Sequence, residues 1–241
     1  MAKNPLQQLT DYGQSVWYDN LSRDLVENGG LQNLIDNCGV VGITSNPTIF
    51  DKAISGSDLY DDQIRRLAAS GRSTSEIYDA IVIQDIQSAA DVLRPVYDQH
   101  DDKSADGFVS LEVSPSLAHD TSATVADARR LYAALDRPNV MIKIPGTTEG
   151  TPAIEQMLYE GININITLLF SLDAYRNVAD AYLRALEVTK RLVNSVKGHP
   201  KYGENSALYS AMGYVPASER SSGLTRRREA ETARTQTVEA S

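Results

Sequence analysis

The segment VMIKIPGT, residues 140–147, sets one lysine, Lys143, among apolar neighbours. A short Val/Ile run closed by Pro-Gly reads as a buried strand, because strands covered on both faces are near-continuously apolar. Lysine is among the residues least often buried. Its ordinary place on such a strand is an edge, with the stem on apolar surface and the ammonium in water. The other reading is chemical. An amine attacks a carbonyl only when unprotonated, and at a reference pKa of about 10.4 almost none is free at neutral pH. Burial disfavours the charged form, so a lysine enclosed in a site can form a Schiff base. Carbinolamine formation and dehydration then need proton transfers, and cleaving a carbon–carbon bond beside the iminium needs a base for the adjoining hydroxyl.

Other apolar segments supply such groups. Strand side chains alternate between faces, so parity can be read from the sequence. In VVGITSNP, Val41 and Ile43 share one face, while Gly42, Thr44 and, just beyond, Asn46 share the other. In GFVSLEVS, Val109, Leu111 and Val113 oppose Ser110, Glu112 and Ser114. In VMIKI, Ile142 and Ile144 oppose Met141 and Lys143; in ININITL, isoleucines oppose Asn163, Asn165 and Thr167. SVWYD puts Trp17 with Asp19. One such strand would suit an amphipathic antiparallel sheet with a wet face. Five together predict one interior carrying a lysine, two carboxylates, asparagine amides and threonine hydroxyls. Buried polar groups are costly unless paired, so a convergent set is a satisfied network or a site. Neutral amides and hydroxyls suit the hydroxyls of a polyol and a catalytic water.

The elements that must position these groups alternate. Strand character falls on residues 15–19, 40–45, 107–114, 140–144 and 162–170. Helical patterns lie between them: SRDLVENGGLQNLIDNCG with a glycine break, TSATVADARRLYAALD, and TTEGTPAIEQMLYEG with Thr and Pro near its start. An insertion over residues 50–106 holds two further helical patterns, the second opened by Ser73 and Glu76 at capping-box spacing. SLDAYRNVADAYLRALEVTKRLVNSV reads as an amphipathic helix with Leu183, Leu186, Val188 and Leu192 among its apolar positions. The predicted fold is α/β, with parallel strands whose carboxyl ends carry Asp19, Asn46, Glu112, Lys143 and Thr167, where such folds bind ligands. Residues 1–196 read as one domain; residues 197–241, poor in Val, Ile and Leu, read as a disordered polar tail.

Composition excludes several classes. Over 241 residues the formal net charge is −9, against the clustered basic surface that a nucleic-acid backbone requires. Cys38 is the single cysteine, so no internal disulfide forms, and His100, His119 and His199 show no metal-ligand spacing. No apolar run reaches membrane-spanning length, and MAKNPLQQLTDYG has no signal-type apolar stretch. The expectation is a cytoplasmic protein with neither nucleic-acid nor membrane partner, its oligomeric state open.

The segments VWYDNLSRDL, GITSNPTIF, SLEVSP, MIKIPGT and NITLLFS, in order from about residue 4 to about residue 190, resemble transaldolase. That family moves a dihydroxyacetone unit between sugar phosphates of the pentose phosphate pathway through a lysine Schiff base. The resemblance implies Lys143 as the Schiff-base lysine, Glu112 as the proton relay through a bound water, and Thr167 as a residue holding that water. It implies Asp19 as the acid/base at the cleaved bond, and Asn46, Asn165 and Thr44 as residues that position the donor's hydroxyls. It implies no cofactor and no metal, and a TIM (β/α)8-type barrel. Only about five βα units are visible here, and such barrels take about 250 residues. No strand after Val196 brings the serine and arginine expected to bind substrate phosphate, and the run Arg226 to Arg228, like Arg220, has no evident placement at the site. An incomplete barrel with impaired transfer is therefore expected. The rival readings are a fructose-6-phosphate aldolase-like lyase and an inactive barrel remnant with unpaired edge strands.

Overall fold

The computed structural model describes residues 4–99, 106–197, 203, 205–211 and 218. The chain divides into two compact units, Met1–Ala185 and Leu186–Ser241. Five strands form one sheet: β1 Val16–Asp19, β2 Val40–Thr44, β3 Phe108–Glu112, β4 Val140–Pro145 and β5 Ile164–Thr167. Their order is β1-β2-β3-β4-β5 and every pairing is parallel. Parallel neighbours in chain order, each joined by helical connections, make the curled arc of a (β/α)8-type barrel. Among the described residues β1 and β5 are its two edges.

The helices are α1 Pro5–Gln8, α2 Arg23–Glu27, α3 Gly30–Cys38, α4 Pro47–Ser55, α5 Asp61–Ala69, α6 Thr74–Asp98, α7 Thr121–Leu135, α8 Gly150–Tyr159, α9 Leu172–Lys197 and α10 Ala207–Ala211. Local chemistry sets most of their starts. Ser22, Asn46 and Asp120 accept from backbone N–H groups in the first turns of α2, α4 and α7. Ser73 and Glu76 close the expected capping box on α6. The glycine break expected in the first helical pattern separates α2 from α3. The short α4, opening Asn46-Pro47, was not among the expected helical patterns, although proline at the first helical position is a start signal. The helix α6 also runs past Pro95 to Asp98. Residues 100–105 lie outside the described ones, and so does most of the expected tail.

Helix α9 corrects one detail. Leu183, Leu186, Val188 and Leu192 are exposed, while Val178, Ala181, Ala185, Val193 and Val196 are buried. The buried stripe keeps helical spacing but is built from small residues, so size alone misjudged the inward face. In the second unit Val193 and Val196 pack with Tyr209 of α10.

The core of the first unit is the helix-facing side of the sheet. Ile43, Val109, Leu111, Ile142 and Ile144 meet Leu31, Phe50, Ile86, Leu93, Leu131, Leu135, Ile154 and Met157 from the helices. Full burial of each large apolar side chain stabilises by about 1.5–3 kcal/mol. Buried Asn139 secures the entry to β4 by donating to the carbonyls of Ala90 and Gly107, 2.8 Å each. Gly107 sits at φ +86, and a Cβ there would meet the Tyr97 backbone nitrogen at 2.3 Å. Both the left-handed backbone and the close approach require glycine.

Candidate active site

The register turns five parity readings into one surface. Asp19, Thr44, Ser110 and Met141 are successive neighbours across β1 to β4. One step further along the strands, Glu112, Lys143 and Asn165 are successive neighbours across β3 to β5. Thr167 pairs with Pro145, two residues beyond Lys143. All except Met141 and Pro145 are polar, and they project from the side opposite the helix-packed isoleucines and valines. Asp19, Thr44, Glu112 and Thr167 each end their strand, so the polar groups gather at the carboxyl ends.

Lys143 is buried, 7% exposed. Its Nζ donates to the backbone carbonyl of Ser45 at 2.8 Å and lies 3.6 Å from Glu112 Oε2. The edge placement that an isolated strand lysine would favour does not occur, because β4 is paired on both sides. Asn165 Nδ2 donates to Ser110 Oγ at 2.9 Å, and Ser45 Oγ donates to the Ser110 carbonyl at 2.9 Å. Ser110 is fully buried on the polar face and Ser45 fully buried just past β2. The sequence placed Ser110 on the polar face without giving it a role and did not single out Ser45. Ser110 shares the parity of Glu112; Ser45 acts through its carbonyl and its hydroxyl at a strand exit, on the parity of the helix-facing side chains.

The remaining predicted residues fall in distinct settings. Thr167 Oγ1 is buried and has no hydrogen-bond partner among the described residues. Asn46 Oδ1 accepts from the Ile49 backbone N–H at 3.0 Å, capping α4. Asp19 is exposed at the end of β1, beside an open hollow lined by Asn20, Ser22, Ile49 and Lys52. It forms no side-chain hydrogen bond or ion pair among the described residues, and Lys143 is not brought against it. Thr44 is half-buried next to it in the register. Thus Glu112, Lys143, Ser45, Ser110 and Asn165 form one contact network, with Asp19, Thr44, Asn46 and Thr167 around it.

The rest of the KIPGT motif is structural. Thr147 Oγ1 donates to the Ala118 carbonyl at 2.7 Å and accepts from Gly150 N–H at 2.9 Å, pinning the β4 exit to the β3 exit and starting α8. A hollow of about 450 Å³ opens at the end of β3 among α4, α6 and α7, with Asn46 and Glu112 in its lining. Its Arg130 is held by Asp79 and Asp127, each at 2.7 Å. Arg220 and Arg226 to Arg228 lie outside the described residues.

A buried lysine beside a carboxylate, at the carboxyl ends of parallel barrel strands, is the geometry against which relatives can be judged. The family model described as transaldolase/fructose-6-phosphate aldolase matches residues 16–210. The chain belongs to the transaldolase/fructose-6-phosphate aldolase family. Transaldolase 2 of Nostoc sp. (strain PCC 7120) is 52% identical over 192 residues, 80% of this chain and 49% of the relative. Transaldolase of Thermobifida fusca is 55% identical over 184 residues, 76% of this chain and 50% of the relative. Transaldolase 1 of Streptomyces coelicolor is 52% identical over 182 residues, 76% and 47% respectively. The chain thus spans about half the length of the curated transaldolases it matches. Among the described residues no helix is long and apolar enough to cross a membrane.

Proposed function

We propose that this chain carries the Schiff-base half-site of a transaldolase, taking a dihydroxyacetone unit from a ketose phosphate such as fructose 6-phosphate or sedoheptulose 7-phosphate. The observation that carries the reading is the buried Lys143 amine within 3.6 Å of the Glu112 carboxylate. In its free-base form Lys143 adds to the donor's keto carbon. Glu112, through a water held with Thr167, passes the protons that convert the carbinolamine to the iminium and release water. Asp19 removes the proton of the hydroxyl beside the scissile bond. That bond breaks, an aldehyde leaves, and its electron pair is kept as the enamine on Lys143. Transfer to an acceptor aldehyde, glyceraldehyde 3-phosphate or erythrose 4-phosphate, reverses these steps. Asn165, aligned by Ser110, and Asn46 with Thr44 hold the donor's hydroxyls. Sugar phosphates are the proposed substrates, and the cytoplasm, where they occur, the proposed compartment; the acidic charge disfavours nucleic acid.

The test is borohydride trapping: incubate with fructose 6-phosphate, reduce, and map the adduct by peptide mass spectrometry. A dihydroxyacetone-derived adduct on Lys143, absent from Lys143→Arg, is expected; folded protein without any adduct refutes the reading. A lyase that releases dihydroxyacetone is the second reading, favoured by the family description, which spans both activities. Free dihydroxyacetone accumulating equally with and without acceptor aldehyde would establish it.

A further inference from the structure

The insertion over residues 50–106 has no part in the chemistry above, yet it holds one side of a buried polar cluster. Arg23, the first residue of α2, is 8% exposed, Tyr60 is 0% and Asp85 is 2%. The Arg23 backbone N–H donates to Tyr60 Oη at 2.9 Å, and Tyr60 Oη donates to Asp85 Oδ2 at 3.0 Å. Arg23 Nε donates to Asp85 Oδ1 at 2.9 Å, and Arg23 Nη1 donates to the Leu59 carbonyl at 3.3 Å. The guanidinium also lies 4.5 Å from the centroid of the Tyr60 ring. One phenol and one carboxylate of the insertion therefore grip both the main chain and the side chain of Arg23.

Asp19 explains why that grip matters. It ends β1 four residues before Arg23, and its carboxylate has no partner among the described residues to aim it. Between them, Leu21 is fully buried and Ser22 caps α2. The place of the carboxylate is therefore set by the main chain, fixed on one side by pairing with Thr44 and on the other by the hold on Arg23. Tyr60 lies in the segment that follows α4.

We propose that Tyr60, Arg23 and Asp85 are positioning residues that fix the β1–α2 turn and thereby the carboxylate of Asp19, which makes the insertion a support for the cleavage step. The inference rests on the role given to Asp19 above. It predicts a loss confined to the step that Asp19 serves. In Tyr60→Phe, trapping of the Lys143 adduct persists, whereas release of the aldehyde product falls about tenfold to a hundredfold, as small misplacements of a catalytic group do. Asp85→Asn shows the same split more strongly. Adduct and aldehyde release falling together, in step with folded protein, would make the cluster merely structural and overturn the proposal; unchanged release would overturn it too.

Hydrogen–deuterium exchange supplies a readout that does not depend on activity. Residues 19–22 should exchange faster in Tyr60→Phe while β4 around Lys143 keeps its protection. If the parent protein forms no adduct, the functional reading fails by itself, and the exchange decides the positioning. Unchanged exchange in residues 19–22 then overturns it.

Discussion

The Lys143 ammonium reaches across β3 to the main-chain carbonyl of Ser45, two strands away and 2.8 Å from Nζ. Such a reach requires a sheet curled toward its polar face, and it leaves the amine enclosed between a carbonyl acceptor and the Glu112 carboxylate.

Replacing Lys143 with Met keeps the apolar stem and removes both the nucleophile and the buried charge. The Ser45 carbonyl then loses its donor, at about 1–3 kcal/mol, while desolvation of the ammonium is relieved. Urea unfolding should place Lys143→Met within about 2 kcal/mol of the parent, and borohydride should trap no adduct. Glu112→Gln should keep the fold and slow adduct formation by about a hundredfold to ten-thousandfold, the usual worth of a general acid–base group.

Thr167 offers a sharper separation of stability from function. Its buried Oγ1 has no partner among the described residues, so Thr167→Val removes an unsatisfied hydroxyl at nearly constant volume. Thermal melts should show equal or greater stability, by about 1 kcal/mol. Adduct formation should nevertheless fall, because the hydroxyl is proposed to hold the proton-relaying water. A variant both stable and fully active would remove Thr167 from the mechanism.

Tyr60 predicts an alkaline limb. Burial, reinforced by the Asp85 carboxylate, pushes the phenol up from 10.0 to about 12. The unfolded chain thus loses this proton first, and the native state binds more protons between pH 10 and about 12. Stability should fall through that window, by about 2–3 kcal/mol for this group. Tyr60→Phe should flatten that part of the pH–stability curve while lowering stability at neutral pH by about 1–3 kcal/mol for the lost hydrogen bonds.

Gly42 is required by contact. A Cβ there would lie 2.4 Å from the Trp17 indole, which covers Gly42 from the neighbouring strand. Gly42→Ala should cost about 1–3 kcal/mol in chemical denaturation, as overpacking does. It should also change the Trp17 fluorescence, a direct signal because Trp17 is the single tryptophan.

Period-two alternation was sufficient to place Asp19, Thr44, Ser110, Glu112, Lys143, Asn165 and Thr167 on one side of a parallel sheet, because side-chain facing on a strand depends only on residue spacing. Helix starts at Ser22, Ser73 and Asp120 were equally local, since a cap and its first turn lie within four residues. Register, curvature and long-range pairing are not local. That Glu112 and Asn165 flank Lys143, that the lysine bonds to Ser45, and that Tyr60 and Asp85 grip Arg23 all join residues 22 to 98 positions apart. Those pairings were decided by how the sheet curls and where the helices pack, so only the tertiary structure could reveal them.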